Sequence, residues 1–134
     1  MSISNRKVVI VGAGHVGSHV GYALISQSLA DEIVYIDSDH AKAVAQTLDL
    51  TDATNYLPVR TKVIAGDYSD AKDAQIMIIS AGPLPTGNQT RMDTLGQTIA
   101  ILKDVTKSIK ESGFDGIIVN ISNPAAVITH YIQH

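Results

Sequence analysis

The 134 residues contain no cysteine and no tryptophan, and phenylalanine occurs once. Without cysteine there is neither a disulfide framework nor a thiolate metal site. With aromatics at 4% the chain offers no stacking platform of the kind that holds bases or sugars. An excess of positive charge is also missing: ten Lys and Arg stand against thirteen Asp and Glu, a formal net charge of −3. Such a chain has no basic footprint for a phosphate backbone and is not expected to bind nucleic acid. Long apolar runs are absent as well. The first, Val8 to Gly12, has five residues, too short for a signal peptide or a membrane span. A cytoplasmic protein without membrane contact is expected.

What the chain does have is apolar mass, 45% hydrophobic against 17% charged residues. That suffices for a real core, and the length suits one compact domain over 1–134. Short β-branched runs alternate with longer stretches of helical spacing, the pattern of a parallel sheet with crossover helices. Strands are expected at Lys7 to Val11, Ile33 to Ile36, Arg60 to Ala65, Gln75 to Ser80 and Gly116 to Asn120. Helices are expected at Val16 to Ser28, His40 to Asp52, Thr90 to Glu111 and Ala125 to Gln133, with a short turn or helix around Ser69 to Asp73. In the second helix Ala41, Val44, Ala45 and Leu48 share a face; in the third, Met92, Leu95, Ile99, Leu102, Val105 and Ile109 do. Gly113 sits where a left-handed cap belongs. Ala81 to Gln89, AGPLPTGNQ, can form neither ladder nor helix and reads as a loop. Right-handed crossovers then give a doubly wound, Rossmann-type α/β sheet with helices on both faces.

Gly12-Ala13-Gly14-His15-Val16-Gly17 follows the first strand and opens a helix, and Asp37 ends the second strand twenty residues past Gly17. This is the context a dinucleotide-binding glycine pattern requires. Gly12 permits the tight turn, Gly14 lets backbone approach a pyrophosphate, and Gly17 lets helix press on strand. The helix N-terminus offers N–H groups and partial positive charge to the phosphates. Asp37 can accept from both ribose hydroxyls and would repel a 2′-phosphate. No Arg follows in Ser38-Asp39-His40 to neutralise one, so NAD is favoured over NADP. Lys42 could reach the same edge or be a solvated helix lysine.

Two further constellations remain open on the residues alone. Arg91, at the downstream root of the loop hinged by Gly82 and Gly87, could swing inward to fork a carboxylate or polarise a carbonyl, or could be a surface residue of the third helix. In Asn120-Ile-Ser-Asn123-Pro124, the Asn side chains could donate to a substrate oxygen or a nicotinamide carboxamide. Capping of the last helix by Asn123 is the reading that spacing favours. His15 and His19 stand at i, i+4 but lack a third ligand, so no metal is expected. His40, His130 and His134 have no paired acid to orient them as a catalytic base.

The segments KVVIVGAGHVGSHV, YIDSDHAKAVAQTLDLTDA, AGPLPTGNQTRMD and VNISNPAAVITHYIQH, collinear across residues 6–134, together resemble the L-lactate/malate dehydrogenase family. The resemblance is nearer to its L-lactate and L-2-hydroxyisocaproate branch. It implies that Gly12, Gly14, Val16 and Gly17 hold NAD and that Asp37 binds the adenosine ribose. Lys42, Tyr68, Gly82, Pro83, Asp104, Ile121 and Asn123 would continue the cofactor pocket. Arg91 becomes the mobile-loop arginine that polarises the substrate carbonyl, and Asn123 bonds substrate and cofactor. The helix carrying Asp49 and Leu50 would lie at a subunit interface of a homodimer or tetramer.

Two departures from the family pattern matter. Pro85 stands where lactate dehydrogenases carry Gln and malate dehydrogenases Arg. It cannot pair with a second carboxylate, which turns the expectation from oxaloacetate to 2-oxo acids with aliphatic side chains. The family's catalytic His, the Asp that orients it and the Arg that clamps the substrate carboxylate lie beyond the Asn-Pro helix. These residues are therefore expected to be the cofactor half of an L-2-hydroxyacid dehydrogenase, without the catalytic domain and inactive alone. The alternative is a stand-alone NAD(H)-sensing module, against which the Arg91 loop speaks. A short-chain reductase, which sets a Tyr and a Lys four apart on a helix, is not expected.

Overall fold

The computed structural model describes residues 5–58, 60–83, 86–90 and 92–134. Five strands, β1 (Lys7–Val11), β2 (Glu32–Ile36), β3 (Lys62–Ala65), β4 (Ile76–Ile79) and β5 (Ile117–Asn120), pair in parallel in the order β3-β2-β1-β4-β5. The connections are α1 (His15–Ser26), α2 (His40–Thr54), a 3₁₀ turn at Tyr68–Ala71, and α3 (Leu95–Ser112); α4 (Ala125–Gln133) follows β5. β1 starts the chain but lies at the centre, and all five of its residues are buried, which its unbroken KVVIV run makes possible.

Alternation along the strands divides the core in two. Val9, Val11, Val34, Ile36, Met77 and Ile79 face Leu102, Val105 and Ile109 of α3 and Ile128 of α4. Val8, Ile10, Ile33 and Tyr35 face Ile25 of α1 and Ala43 and Leu50 of α2. This is the doubly wound Rossmann-like arrangement expected from the alternating periodicities. From β1 the chain adds β2 and β3 on one side and then crosses back to add β4 and β5 on the other, so the connections leaving β1 and β4 diverge to opposite faces and open a crevice at the carboxyl ends of these two parallel strands.

α1 is locked to the sheet by Tyr35, which is fully buried and donates its hydroxyl to the Gly17 carbonyl at 2.9 Å. Burial holds its phenol well above the usual range. A Cβ on Gly21 would overlap that hydroxyl and come within 2.8 Å of Leu50 Cδ1, so a bare backbone is needed where α1, α2 and β2 meet. Tyr35→Phe removes this cross-link from a carbonyl that still serves the α1 ladder, and denaturant unfolding is expected to show a loss of about 0.5–1.5 kcal/mol. An unchanged midpoint would mean that water replaces the hydroxyl.

The N-terminal side is pinned by Arg6, whose Nε and Nη2 bond the two Asp31 oxygens at 3.1 and 2.9 Å. Chiefly through that hydrogen bond, Arg6 holds the Asp31 carboxyl at about 2, against an ordinary 3.8. A depressed carboxylate contributes stability above its unfolded value and loses it as pH falls toward the folded one. Stability is therefore expected to drop between about pH 4 and pH 2, and Asp31→Asn to flatten that part of an acid-unfolding profile; an identical profile would remove Asp31 from the account.

Three expectations need correction. The face Ala41, Val44, Ala45 and Leu48 of α2 points outward, with Leu48 61% exposed, while Ala43, Leu50 and Thr54 are buried. α2 is apolar on both sides, and periodicity alone selected the broader stripe over the one that fits beneath Gly21. α3 begins at Leu95 rather than Thr90, because Thr90 and Asp93 bond each other's backbone N–H and side-chain oxygens and close a separate turn, leaving Met92 exposed. Asn123 does not cap α4: Pro124 takes the N-cap position with no side-chain bond. Asn120 ties the helix down instead, donating from Nδ2 to the Ala125 carbonyl and to Thr129 Oγ1, both at 3.1 Å. Gly113 ends α3 in the left-handed region as expected.

Candidate functional site

The ends of β1, β2, β4 and β5 and the start of α1 meet at the carboxyl edge of the sheet. β1 runs out at Val11, and Gly12, at φ 107°, turns the chain sharply into α1. The Gly12 N–H still reaches the Ile36 carbonyl of β2 at 2.8 Å. Only glycine fits here, since a Cβ would stand 2.9 Å from the Ser80 carbonyl oxygen at a φ that side chains avoid. A Cβ on Gly17 would overlap the Gly12 carbonyl oxygen. Close approach of helix to turn therefore depends on Gly17.

Gly14 is different. It is the N-cap of α1 with no side-chain cap, and a Cβ added to it would meet nothing within 4 Å. The first helical bond is Ser18 N–H to the Gly14 carbonyl, at 2.9 Å. The preceding amides are left for an outside acceptor, and no acidic residue in the first turn competes for them. A bare backbone facing open space at a helix N-terminus is the cradle an anionic diphosphate needs.

Asp37, one residue past β2, borders this cradle. Its Oδ2 accepts from Ala13 N–H at 2.7 Å and its Oδ1 from Asp39 N–H at 2.8 Å. A carboxylate has about four acceptor positions, so two remain for a ribose. Asp39 caps α2 through Ala41 N–H at 3.2 Å, bringing a second carboxylate to this edge, and Lys42 is exposed in the first turn of α2. Tyr68 comes to the same corner. Burial pushes its phenol up to about 12, and the neighbouring Asp37 charge adds to the effect.

The opposite side of the crevice starts from Gly82 and Pro83 after β4. Gly82, at φ 134°, rests on Thr98 of α3, whose side chain a Cβ would touch at 3.4 Å. Ile121 continues the β5 ladder into the Ile79 carbonyl at 2.9 Å, and Asn123 is exposed at the mouth. Pro85 and Arg91 lie outside the described residues. Gly12, Gly14, Val16, Gly17, Asp37, Lys42, Tyr68, Gly82, Pro83, Ile121 and Asn123 thus come to one edge. Asp104 does not: it is exposed on α3, nine residues past Leu95 and so roughly 13 Å down the helix axis.

Sequence reasoning missed the hydroxyls that stitch the edge together. Ser80 bonds the Val11 and Gly12 carbonyls, and Ser122 bonds those of Ile79 and Ala81. Serine at a strand end is too common to signal this. A Tyr and a Lys four apart do occur, contrary to expectation, at Tyr68 and Lys72. They bracket a 3₁₀ turn of three residues per turn, which does not align them, and Lys72 leans toward Gly113 while Tyr68 neighbours Asp37. His19 Nδ1 lies 2.6 Å from the His15 carbonyl and therefore donates to it. Among the described residues no three His, Cys, Asp or Glu side chains gather, and no helix is long and apolar enough to cross a membrane.

Comparison with known proteins agrees with this geometry. L-lactate dehydrogenase 3 of Bacillus cereus is 43% identical over 132 residues, which are 98% of this chain and 42% of that protein. The minor L-lactate dehydrogenase of Enterococcus mundtii, solved in a ligands-bound form, superposes with a TM-score of 0.92 at 38% identity, over 98% of this chain and 42% of that one. The Cryptosporidium parvum lactate dehydrogenase, solved with lactic acid and nicotinamide adenine dinucleotide, gives a TM-score of 0.91 at 26% identity, over 98% of this chain and 42% of that one. The chain thus spans about 42% of the length of the relatives it matches. Residues 6–134 match the lactate/malate dehydrogenase NAD binding domain, and the chain belongs to that family.

Proposed function

We propose that these residues are the NAD-binding domain of an L-2-hydroxyacid dehydrogenase of L-lactate or L-2-hydroxyisocaproate type, which interconverts 2-oxo and L-2-hydroxy acids by hydride transfer. The observation that carries the reading is the uncapped start of α1 at Gly14, with open space before it and Asp37 at its side. The N–H groups from Gly14 to Gly17 would bind the diphosphate, and Asp37 the adenosine ribose. Tyr68 would close the adenosine side, with Lys42 beside it. Gly82, Pro83, Ile121 and Asn123 would face the nicotinamide half, and the bound nicotinamide would supply or accept the hydride.

On this reading Arg91 polarises the substrate carbonyl. Pro85 would favour an aliphatic 2-oxo acid over oxaloacetate, because a proline offers a second carboxylate no donor. Asp104, remote from the edge, is the weakest member of the set. The outward face of α2, with Val44 and Leu48 exposed, supports association of copies as a dimer or tetramer in the whole enzyme. A cytoplasmic location belongs to the same reading.

Among the described residues no histidine of this edge is paired with an acid, so on this reading the proton donor for the carbonyl, worth a factor of about 10² to 10⁴ in rate, comes from the catalytic half. NADH fluorescence titration of this chain is expected to show binding, and subsequent addition of 2-oxoisocaproate, pyruvate or oxaloacetate to leave NADH unoxidised. Oxidation by any of the three would mean that these residues supply their own acid. In a chain that includes the catalytic half, turnover is expected to be higher with 2-oxoisocaproate than with oxaloacetate; the reverse would remove Pro85 from the specificity argument.

A further inference from the structure

Ser80 stands one residue past β4, against the turn that leads into α1. Its N–H extends the ladder to the Val11 carbonyl at 2.9 Å. Its hydroxyl lies 3.1 Å from the Val11 carbonyl oxygen and 3.2 Å from that of Gly12. A serine hydroxyl has one hydrogen, so this is a shared, three-centre bond. It spans the point where β1 stops being strand and the glycine turn begins. Both glycines close around it: a Cβ on Gly12 would stand 2.9 Å from Ser80 Oγ, and one on Gly17 3.0 Å.

The same turn is held from its other side by Asp37, through Ala13 N–H at 2.7 Å. The peptide between Gly12 and Ala13 is therefore gripped twice, its carbonyl from β4 and its N–H from β2. That peptide sets the direction in which the next amides, those from Gly14 onward, point. Ser80 is in turn fixed by its neighbours, since Ser122 Oγ of the β5 end donates to the Ala81 carbonyl at 2.7 Å.

We propose that Ser80 is a positioning residue for the dinucleotide diphosphate: its hydroxyl fixes the Gly12 peptide so that the amides at the start of α1 converge on the phosphates, although Ser80 itself need not touch them. The inference rests on the NAD reading above. It makes a distinction that a purely structural role does not. A misaimed phosphate cradle weakens ligands that carry the diphosphate and leaves adenosine alone, whereas a general loosening of the fold weakens all of them together.

The test compares the affinities of NADH, ADP-ribose and adenosine for the chain and for Ser80→Ala, with Ser80→Cys as a second variant. Cysteine keeps the side-chain shape with a slightly larger atom in place of the hydroxyl oxygen, and its thiol is a weak donor. Loss of one well-placed hydrogen bond predicts that both variants bind NADH and ADP-ribose about fivefold more weakly, with adenosine unchanged within twofold. Unchanged NADH and ADP-ribose affinities in Ser80→Cys would overturn the proposal, as would an equal loss for adenosine. Should Ser80→Ala not fold, Ser80→Cys decides alone. An unsubstituted chain that binds none of the three ligands would overturn the NAD reading and this inference with it. Binding by the unsubstituted chain that both variants share in full would overturn this inference only.

Discussion

Gly17→Ala is expected to abolish NADH binding, by a hundredfold or more, and to destabilise the fold by about 3 kcal/mol or more. The added methyl would overlap the Gly12 carbonyl oxygen, which is backbone and cannot rotate away. The same carbonyl is tied to Ser80 at 3.2 Å, and the Gly17 carbonyl is tied to Tyr35 at 2.9 Å. Neither side of the clash can yield alone, so α1 must lift from the sheet, and the amides at its start move with it. Gly14→Ala is the control. Its φ of −77° suits alanine and its methyl meets nothing, so stability should stay within about 0.5 kcal/mol. Yet that methyl would enter the space proposed for the diphosphate, and NADH should bind at least tenfold more weakly. Chemical denaturation beside NADH titration separates the two. If Gly14→Ala bound NADH as the unsubstituted chain does, the diphosphate would not pass over Gly14.

The two substitutions also mark how far the residues alone reveal the fold. The strands were legible because parallel strands covered on both faces need unbroken β-branched runs, and KVVIV, EIVYI and IMII are such runs. The glycine turn and Asp37 were legible because the tight turn, the close helix approach and the end of β2 fall at a fixed spacing in sequence. α2 was misread in its facing, because Val44 and Leu48 look as core-like as Ala43 and Leu50. What decides between them is the Gly21 surface of α1, far away in sequence. In β5 Ile117 and Val119 are exposed, so an apolar run does not by itself report its cover. The start of α3 was misplaced because a Thr90–Asp93 turn satisfies the same backbone groups that a helix would.

The site shows the same division. Gly12, Gly14, Gly17 and Asp37 are legible from motif spacing and the rest of the proposed pocket only from the family resemblance, whereas residues that hold the glycine turn and strand ends are legible from neither. Ser80, Ser122, Tyr35 and Asn120 all act on carbonyls or amides many positions away, and nothing local to them announces it. Asn123 was expected to cap α4, and Asn120 does the tethering. The exchange frees the Asn123 side chain at the mouth of the crevice, which is what its proposed contact with substrate and cofactor requires.

Asp37→Ala carries the second large expected effect, and it separates two duties of one carboxylate. Asp37 holds the glycine turn through Ala13 N–H at 2.7 Å, and on the proposed reading it also accepts from the adenosine ribose. If holding the turn were its whole role, alanine would loosen the cradle and weaken NADH and NADPH by the same factor. If it also reads the ribose, the two cofactors respond differently. NADH loses charge-assisted hydrogen bonds worth about 1.5–3 kcal/mol each, so its Kd should rise about a hundredfold. NADPH loses the turn but is relieved of repulsion between its 2′-phosphate and the carboxylate, and its Kd should change by less than tenfold. The preference for NADH over NADPH should thus collapse toward unity and not invert, because Asp39 remains at that edge against a 2′-phosphate. Titration of both cofactors into both proteins gives the four affinities needed. Equal losses for NADH and NADPH would confine Asp37 to holding the turn, and cofactor choice would then have to come from the shape of the adenosine corner around Tyr68.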